Sequence, residues 1–257
     1  MVFRRLHRNL FLTRCLLATQ CLLASFALAA PPTEWLDIRR KGAPAIAELA
    51  LQRSAQKPWQ RVFKADVPAG HPMAGLKIAV ARSFVGHAQL QVRVVAGPAE
   101  LLGTGVVMDG AKAWLRVGGE KAKLLPHEAV FRPQPILGVP WIMFCALEWQ
   151  SQYTPTVEGE FDEVAVVRLA PRYELGVTAR PAKVSISKRS GYLIATAISD
   201  GKGAKLGEVD WEAFNGAGQP EAFQLRGAGD DPKSVRFVAE GPSTAPAKSA
   251  FTAGALR

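Results

Sequence analysis

Four histidines and three cysteines are the side chains with which this sequence could do acid–base, nucleophilic or metal chemistry. Their spacing argues against all three. His7 falls in the N-terminal segment, and His71, His87 and His127 stand alone in loops or at strand ends, with no His, Asp or Glu at ligand spacing. Solvated histidines are expected there, and no metal. Cys145 lies in "WIMFCALEW" among apolar neighbours, the setting of a small buried hydrophobe rather than of a reactive thiol. No G-x-S-x-G elbow occurs. "GKGAKLG" at 201–207 lacks the Gly-Lys-Ser/Thr ending of a phosphate loop and follows a hairpin strand, so it reads as a turn. "YELGVTARP" at 173–181 places no base near a nucleophile. The expectation is a protein without catalytic residues and without cofactors.

Two stretches concentrate apolar side chains in a way that asks for a ligand instead. "GTGVVMDGAKAWLRVGGEKAKLLP" at 103–126 reads as two tight hairpins. With Asp109-Gly110 as a two-residue turn, Met108 pairs with Ala111, Val106 with Ala113 and Thr104 with Leu115. The shared face is apolar but made largely of small side chains, where a sheet over an ordinary core shows bulkier ones. The second stretch, "PILGVPWIMFCALEWQSQY" at 135–153, has Pro140 where a helix can start, then apolar residues at Trp141, Ile142, Met143, Phe144, Ala146, Leu147 and Trp149. They surround a helical axis almost completely. Such a helix must be buried or must cover something apolar.

The elements that position these stretches follow from patterning. Residues 1–29 read as a secretory signal peptide: Arg4, Arg5, Arg8 and Arg14 with no acid, the apolar run "CLLATQCLLASFALA", and Ala27-Leu28-Ala29 as a cleavage site. The charge of the whole chain is +10; without that segment, 28 basic against 22 acidic side chains leave about +6. Basic residues alternate with apolar ones ("KAKLL", "AKVSISKR", "VRF"), which describes the solvated face of a sheet and not a nucleic-acid surface. Only Cys145 remains after cleavage, so no intramolecular disulfide can form.

Residues 34–56 are helical in pattern, with Trp35, Leu36, Ile38, Ile46, Leu49 and Leu51 as apolar stripes broken near Gly42–Pro44. From Trp59 onward the period is two. "GLKIAVA", "LQVRVV", the two hairpins, "AKVSI", "YLIATAI", "KLGEVDWEAF", "EAFQLRG" and "KSVRFVAE" follow one another across short Asp/Gly/Pro loops. Ten or so strands with such connections make a meandering antiparallel sheet. Residues 241–257, "GPSTAPAKSAFTAGALR", have the composition of a disordered tail.

The serial order of these pieces resembles the LolA/LolB-like superfamily of outer-membrane lipoprotein-sorting carriers. A strand ends in Asp109-Gly110 and the returning strand carries Trp114. After the apolar insertion come Tyr153 and a strand closing in Leu169-Ala170-Pro171. "VSISKRSGYLIATAISDGKG" then resembles the family's paired late strands, ending in a D-x-x-G loop. The likeness runs over most of 59–240. Where the family's early strand often ends in Arg-Pro, Arg93 and Pro98 are separated here by "VVAG", so no role is transferred to Arg93.

The resemblance implies a mainly β fold of α+β type over residues 30–240: one curved antiparallel sheet forming an incomplete β-barrel. The N-terminal helix would lie on its concave side, burying Trp35, Ile38, Ile46 and Leu49, and the short apolar helical insertion would act as a lid. It implies a periplasmic monomer, cleaved near Ala29, that holds acyl chains of lipoproteins or other lipids and meets an inner-membrane lipoprotein-releasing transporter. The cavity and lid would then be lined by Val106, Met108, Leu115, Val117, Leu124, Ile136, Leu137, Trp141, Ile142, Phe144, Trp149, Ile186 and Ile194, with Ala111, Ala113 and Ala122 leaving room for the ligand. On the outer face, Lys112, Trp114, Arg116 and Lys121 are expected, with Trp114 laid across Gly105. A two-residue Gly118-Gly119 turn would oppose Arg116 to Lys121; a longer loop through Glu120 would relieve this. Two other classes compete with the carrier: a stationary envelope sensor or scaffold of the same fold, and a hydrolase of lipids or glycans.

Overall fold

Alternation of apolar and polar side chains from Trp59 onward becomes thirteen strands among the described residues: β1 (Trp59–Asp66), β2 (Lys77–Ser83), β3 (Gln89–Ala96), β4 (Gly105–Asp109), β5 (Lys112–Arg116), β6 (Lys123–Leu125), β7 (Tyr153–Glu160), β8 (Val164–Pro171), β9 (Ala182–Ser187), β10 (Leu193–Ser199), β11 (Lys205–Phe214), β12 (Pro220–Arg226) and β13 (Ser234–Thr244). The computed structural model describes residues 58–83, 89–110, 112–133, 137–140, 153–161, 163–173, 179–188, 190–227 and 234–256. Contacts divide the chain into Met1–Arg40 and Lys41–Arg257, and every described residue belongs to the second unit. The signal segment, the helix expected at 34–56 and the helical insertion at 141–149 lie outside the described residues.

The strands form one sheet in the order β6-β5-β4-β3-β2-β1-β13-β12-β11-β10-β9-β8-β7. Every pairing is antiparallel. The order is a meander with one long-range closure, where β13 pairs with β1 and joins the early strands to the late ones. The sheet is not closed: β6 and β7 remain its edges. Edge β7 is blunted by Pro155 and by a bulge between Val157 and Gly159, which disfavour pairing with a further strand.

Each strand puts alternate residues on one inner face. Leu90 and Val92, Val106 and Met108, Phe223 and Leu225, Val184 and Ile186 all lie there and are buried. The outer face of the late strands carries charge ladders instead. Arg226 meets Asp210 at 2.9 Å and Glu208 at 3.5 Å, while Arg236 meets both Asp66 and Glu212 at 3.0 Å. Burial, and next the neighbouring Glu208, holds the Asp210 carboxyl above its ordinary range even against the attraction of Arg226. A raised carboxyl pKa means that the folded state binds the proton more tightly, so stability is lost as pH rises through the folded value. Asp210→Asn should therefore raise the unfolding free energy slightly at pH 7, by under about 1 kcal/mol for a half-buried pair, and the urea midpoint with it. The gain should vanish near pH 3, where both states are protonated. A midpoint lowered at pH 7 would show that the Arg226 pair dominates.

The first hairpin turns one residue later than the Asp109-Gly110 reading. Asp109 pairs with Lys112, Met108 with Ala113, Val107 with Trp114 and Val106 with Leu115, so the strand runs on to Asp109 and the turn opens at Gly110, at φ +57°. Asp109 stays in the strand because the side-chain amide of Gln89, directly opposite, donates to its Oδ1 at 2.9 Å. Two residues of shift keep the parity of the faces, so Val106, Met108, Ala113 and Leu115 still share the inner one. The outer arrangement changes: Trp114 faces Val107, and Gly105 lies between Arg93 and Arg116. What demands glycine at 105 is backbone, since a Cβ there would sit 2.6 Å from the Val92 carbonyl oxygen. Gly105→Ala should cost about 1–3 kcal/mol as an overpacking change; a neutral result in urea unfolding would show that β3 and β4 can separate. Past β5 the chain makes the longer loop, with Leu115 opposite Lys123 and Arg116 Nε donating to the Glu120 carbonyl at 2.9 Å.

The C-terminal segment is not a disordered tail. β13 runs on to Thr244, which faces Gln60 of β1. The 3-10 turns Lys248–Phe251 and Ala253–Leu256 then cross the outer face of β3–β5. Ala250, Phe251 and Leu256 are buried there, with Ala250 and Phe251 in one cluster with Ala81. Arg93 Nη1 donates to the Ala255 carbonyl at 3.2 Å and Arg116 Nη1 to the Leu256 carbonyl. Small and polar composition hid three apolar anchors whose order comes from tertiary contact. This cover also explains why β2 and β4 are apolar on both faces, a pattern of strands buried from both sides.

Candidate ligand-binding face

On the inner face the middle of the sheet is an aromatic cluster. Phe223 of β12 stacks on Phe237 directly opposite, centroids 5.1 Å apart. Its ring also meets Trp211 of β11 at 5.2 Å and Phe63 of β1 at 4.9 Å. Trp59 lies 6.3 Å from Phe63. Phe63 reaches Phe223 across the intervening β13 because Ala239, opposite Phe63, is small.

Into this cluster β2 delivers a charge. Ile78, Val80 and Arg82 occupy successive inner positions, and Arg82 is 5% exposed. Its guanidinium carbon lies 5.7 Å from the Trp59 ring and 5.6 Å from that of Trp211. Such approaches are attractive, and more so where water is excluded. β2 and β11 are separated by β1, β13 and β12, about 19 Å on a flat sheet at the usual strand spacing. Contact over that span shows the inner face to be concave here.

A second polar group on the face is Thr196 of β10, 1% exposed, whose Oγ1 has no hydrogen-bond partner. It stands directly opposite Val209, two residues from Trp211 along β11. Farther along, Gly207 of β11 leaves a seat: a Cβ there would meet Val139 Cγ1 and Pro140 Cδ at 3.0 Å. Leu137, Val139 and Pro140, the described residues that precede the apolar insertion, are buried, so part of the cover of the inner face enters at this point.

Of the residues expected to line a cavity, Val106 and Met108 are buried on the inner face, with Leu115 beside them and half-buried. Ile186 is buried opposite Leu193, and Leu137 is buried. Ile194 sits at the bulge between Leu193 and Ala195 and is half-buried; the bulge hands its inner place to Leu193. Two expectations are corrected. Leu124 pairs with Trp114 on the outer face and is 64% exposed, and Val117 lies beyond the end of β5, 47% exposed. The longer β5–β6 loop moves both off the inner face. Ile136, Trp141, Ile142, Phe144 and Trp149 lie outside the described residues. The residues that sequence reasoning missed are Trp59, Arg82, Trp211 and Thr196. Period-two alternation along "KIAVARS" and "EVDWEAF" was the signal that could have placed Arg82 and Trp211 inward.

Tyr153 opens β7 directly opposite Pro171, which joins the two ends of the Tyr and Leu-x-Pro pattern. Its hydroxyl donates to the Arg180 carbonyl at 3.0 Å, and burial pushes the phenol above its ordinary range, so it stays neutral. Among the described residues no group of three or more His, Cys, Asp or Glu is placed to hold a metal.

No protein-family model matches this sequence, and no curated protein matches it. Solved structures do match. A LolA superfamily protein from Nitrosomonas europaea superposes with a TM-score of 0.60 at 16% identity, over 82% of this chain and 97% of that one. A domain from Vibrio parahaemolyticus named for outer-membrane lipoprotein sorting gives 0.60 at 13%, over 84% and 98%. A DUF1329 family protein from Desulfovibrio piger gives 0.63 at 12%, over 84% and 99%. What is shared at such identities is the fold, and the fold is LolA-like: mainly β, one open antiparallel sheet.

Proposed function

We propose that the protein is a carrier of acyl chains in the bacterial envelope, holding them against the inner face of the sheet. The observation that supports this most is the inner face itself, apolar from β4 through the aromatic cluster to β9 and concave at its centre. Buried hydrophobic surfaces of this extent on an open sheet suit a ligand that is mostly hydrocarbon. The LolA-like fold and the lipoprotein-sorting name of the Vibrio structure favour lipoprotein acyl chains in transit to the outer membrane as cargo. They also favour a periplasmic location after cleavage near Ala29, and an inner-membrane lipoprotein-releasing transporter as donor. Val106, Met108, Leu115, Leu137 and Ile186 would touch the chains.

Native mass spectrometry of protein purified from its own envelope, followed by lipid extraction, tests the reading. About one lipid per protein is expected, together with saturable uptake of a fluorescent fatty-acid probe by delipidated protein. No lipid and no uptake would overturn it in favour of a fixed scaffold that binds a protein partner. If residues 141–149 contact cargo, replacing Trp141 and Phe144 by Ala should weaken probe uptake about tenfold. The unfolding free energy should then fall by less than the ~3–5 kcal/mol of a truncated core aromatic. The reverse pattern, a large loss of stability with uptake intact, would make the segment ordinary core.

A further inference from the structure

We propose that the outer face carries an anion site: a cleft of about 620 Å³ between the β5–β6 loop and the last C-terminal turn, which takes a phosphate monoester on a small organic body. The cleft is formed by outer-face elements, away from the inner face assigned to acyl chains, so the inference stands apart from the carrier reading.

Arg93, Gly105 and Arg116 stand in one outer row across β3, β4 and β5. The glycine puts no side chain between the two arginines, whose Cα atoms are about 10 Å apart at the usual strand spacing. Backbone carbonyls fix both guanidiniums. Arg93 Nη1 donates to Ala255 at 3.2 Å, and Arg116 donates from Nη1 to Leu256 and from Nε to Glu120 at 2.9 Å. A carbonyl accepts a hydrogen bond but cancels no net charge, and the Nη2 of Arg116 keeps no protein partner among the described residues. The acid on the cleft is Glu120, and it is already taken: Lys123 lies 2.8 Å from its carboxylate. The hydrogen bond and then the charge of that lysine hold the carboxyl below its ordinary range. Lys121, on the same loop, has no carboxylate within ion-pair distance among the described residues. With Glu120 and Lys123 cancelling, the cleft keeps the two positive charges of Arg116 and Lys121.

Charge and size select the ligand. A phosphate monoester carries close to two negative charges at pH 8, its second pKa being about 6, which matches a guanidinium and an ammonium; a carboxylate answers only one of them. Both cations donate well to phosphate oxygens. Arg116 is held in place before any ligand arrives, so little of its freedom is lost on binding. The volume falls within the range of small-molecule pockets, about 300–1,000 Å³, and leaves room for more than the phosphate. Ala122, Ala253 and Leu256 line the cleft beside the two cations and offer apolar contact to the organic part. The ester can belong to a soluble molecule or to a lipid headgroup, and the chemistry at Arg116 and Lys121 is the same for both.

The test titrates glycerol 3-phosphate, glycerate and glycerol into the protein at pH 8, read by calorimetry and by the amide shifts of Gly119, Lys121 and Gly254. The phosphate ester should bind saturably and move those amides, glycerate should bind severalfold more weakly, and glycerol should not bind. Lys121→Gln should weaken the ester about threefold, in line with one exposed charge pair. Arg116→Gln, whose amide can still donate to the Leu256 carbonyl, should weaken it about tenfold. Lys202→Gln removes an equal charge from the exposed β10–β11 loop and should change nothing. Vesicles of phosphatidylcholine with and without phosphatidate separate the two sources. Phosphatidate-dependent recruitment displaced by glycerol 3-phosphate identifies a lipid headgroup, and binding of the soluble ester without recruitment identifies a soluble ligand; either supports the site. No saturable binding of the ester, equal binding of glycerate, or an equal loss with Lys202→Gln overturns the inference and leaves the carrier reading standing. If Arg116→Gln does not fold, the comparison of Lys121→Gln with Lys202→Gln decides the matter.

Discussion

Phe223→Ala should lower the unfolding free energy by about 3–5 kcal/mol, toward the upper end of what truncating a buried aromatic costs. The ring is fully buried and makes three aromatic contacts, with Phe63, Trp211 and Phe237, at centroid distances of 4.9–5.2 Å. Each such pair adds about 0.5–1.5 kcal/mol beyond the area it buries. The position is also where the early and late strands are joined, since β13 lies between β1 and β12, so a cavity there loosens both halves. Urea unfolding followed by tryptophan fluorescence reads the change directly, with Trp59 and Trp211 as reporters inside the cluster. A loss below about 1.5 kcal/mol, well short of the usual cost for a buried aromatic, would show that the neighbours collapse into the space and that the cluster is not close-packed.

The second large effect is expected at the C-terminal segment. Phe251 is 4% exposed, packed with Ala81 and Ala250 on the outer face of the early strands. Phe251→Ala should cost about 3 kcal/mol, at the low end for a buried aromatic because a surface segment relaxes more readily than a core strand. Removing residues 248–257 altogether should go further and do so locally. Val107, Gln91 and Gly105 would lose their cover, and Arg93 and Arg116 would lose the carbonyls they bond. Amide exchange should accelerate in β3–β5, which pair only with their neighbours in the sheet, and not in β8–β12, which the segment does not reach. Uniform acceleration across the sheet would mean that the segment stabilises the whole unit; no change would mean that its burial contributes nothing.

Local pattern was enough for the strands, because apolar alternation at a period of two can be satisfied only by a pleated sheet with one face buried. "GLKIAVA", "LQVRVV" and "EAFQLRG" thus announced β2, β3 and β12. Face assignment was equally robust: the hairpin register moved by two residues without exchanging Val106 and Met108 for Val107, since only an odd shift turns a strand over. What failed was everything set by partners distant in the chain. The turn moved because Gln89, twenty residues upstream, holds Asp109 in the ladder. Leu124 and Val117 left the inner face because the β5–β6 loop is longer than its glycines suggest. The tail at 241–257 became a strand end and two anchored turns because Ala81, Arg93 and Arg116 await it, and no property of "SAFTAGAL" alone contains that information. The Arg82 cluster belongs with these. Alternation could have turned Arg82 inward, but only curvature brings a β2 guanidinium to a β11 indole, and curvature is a property of the whole sheet.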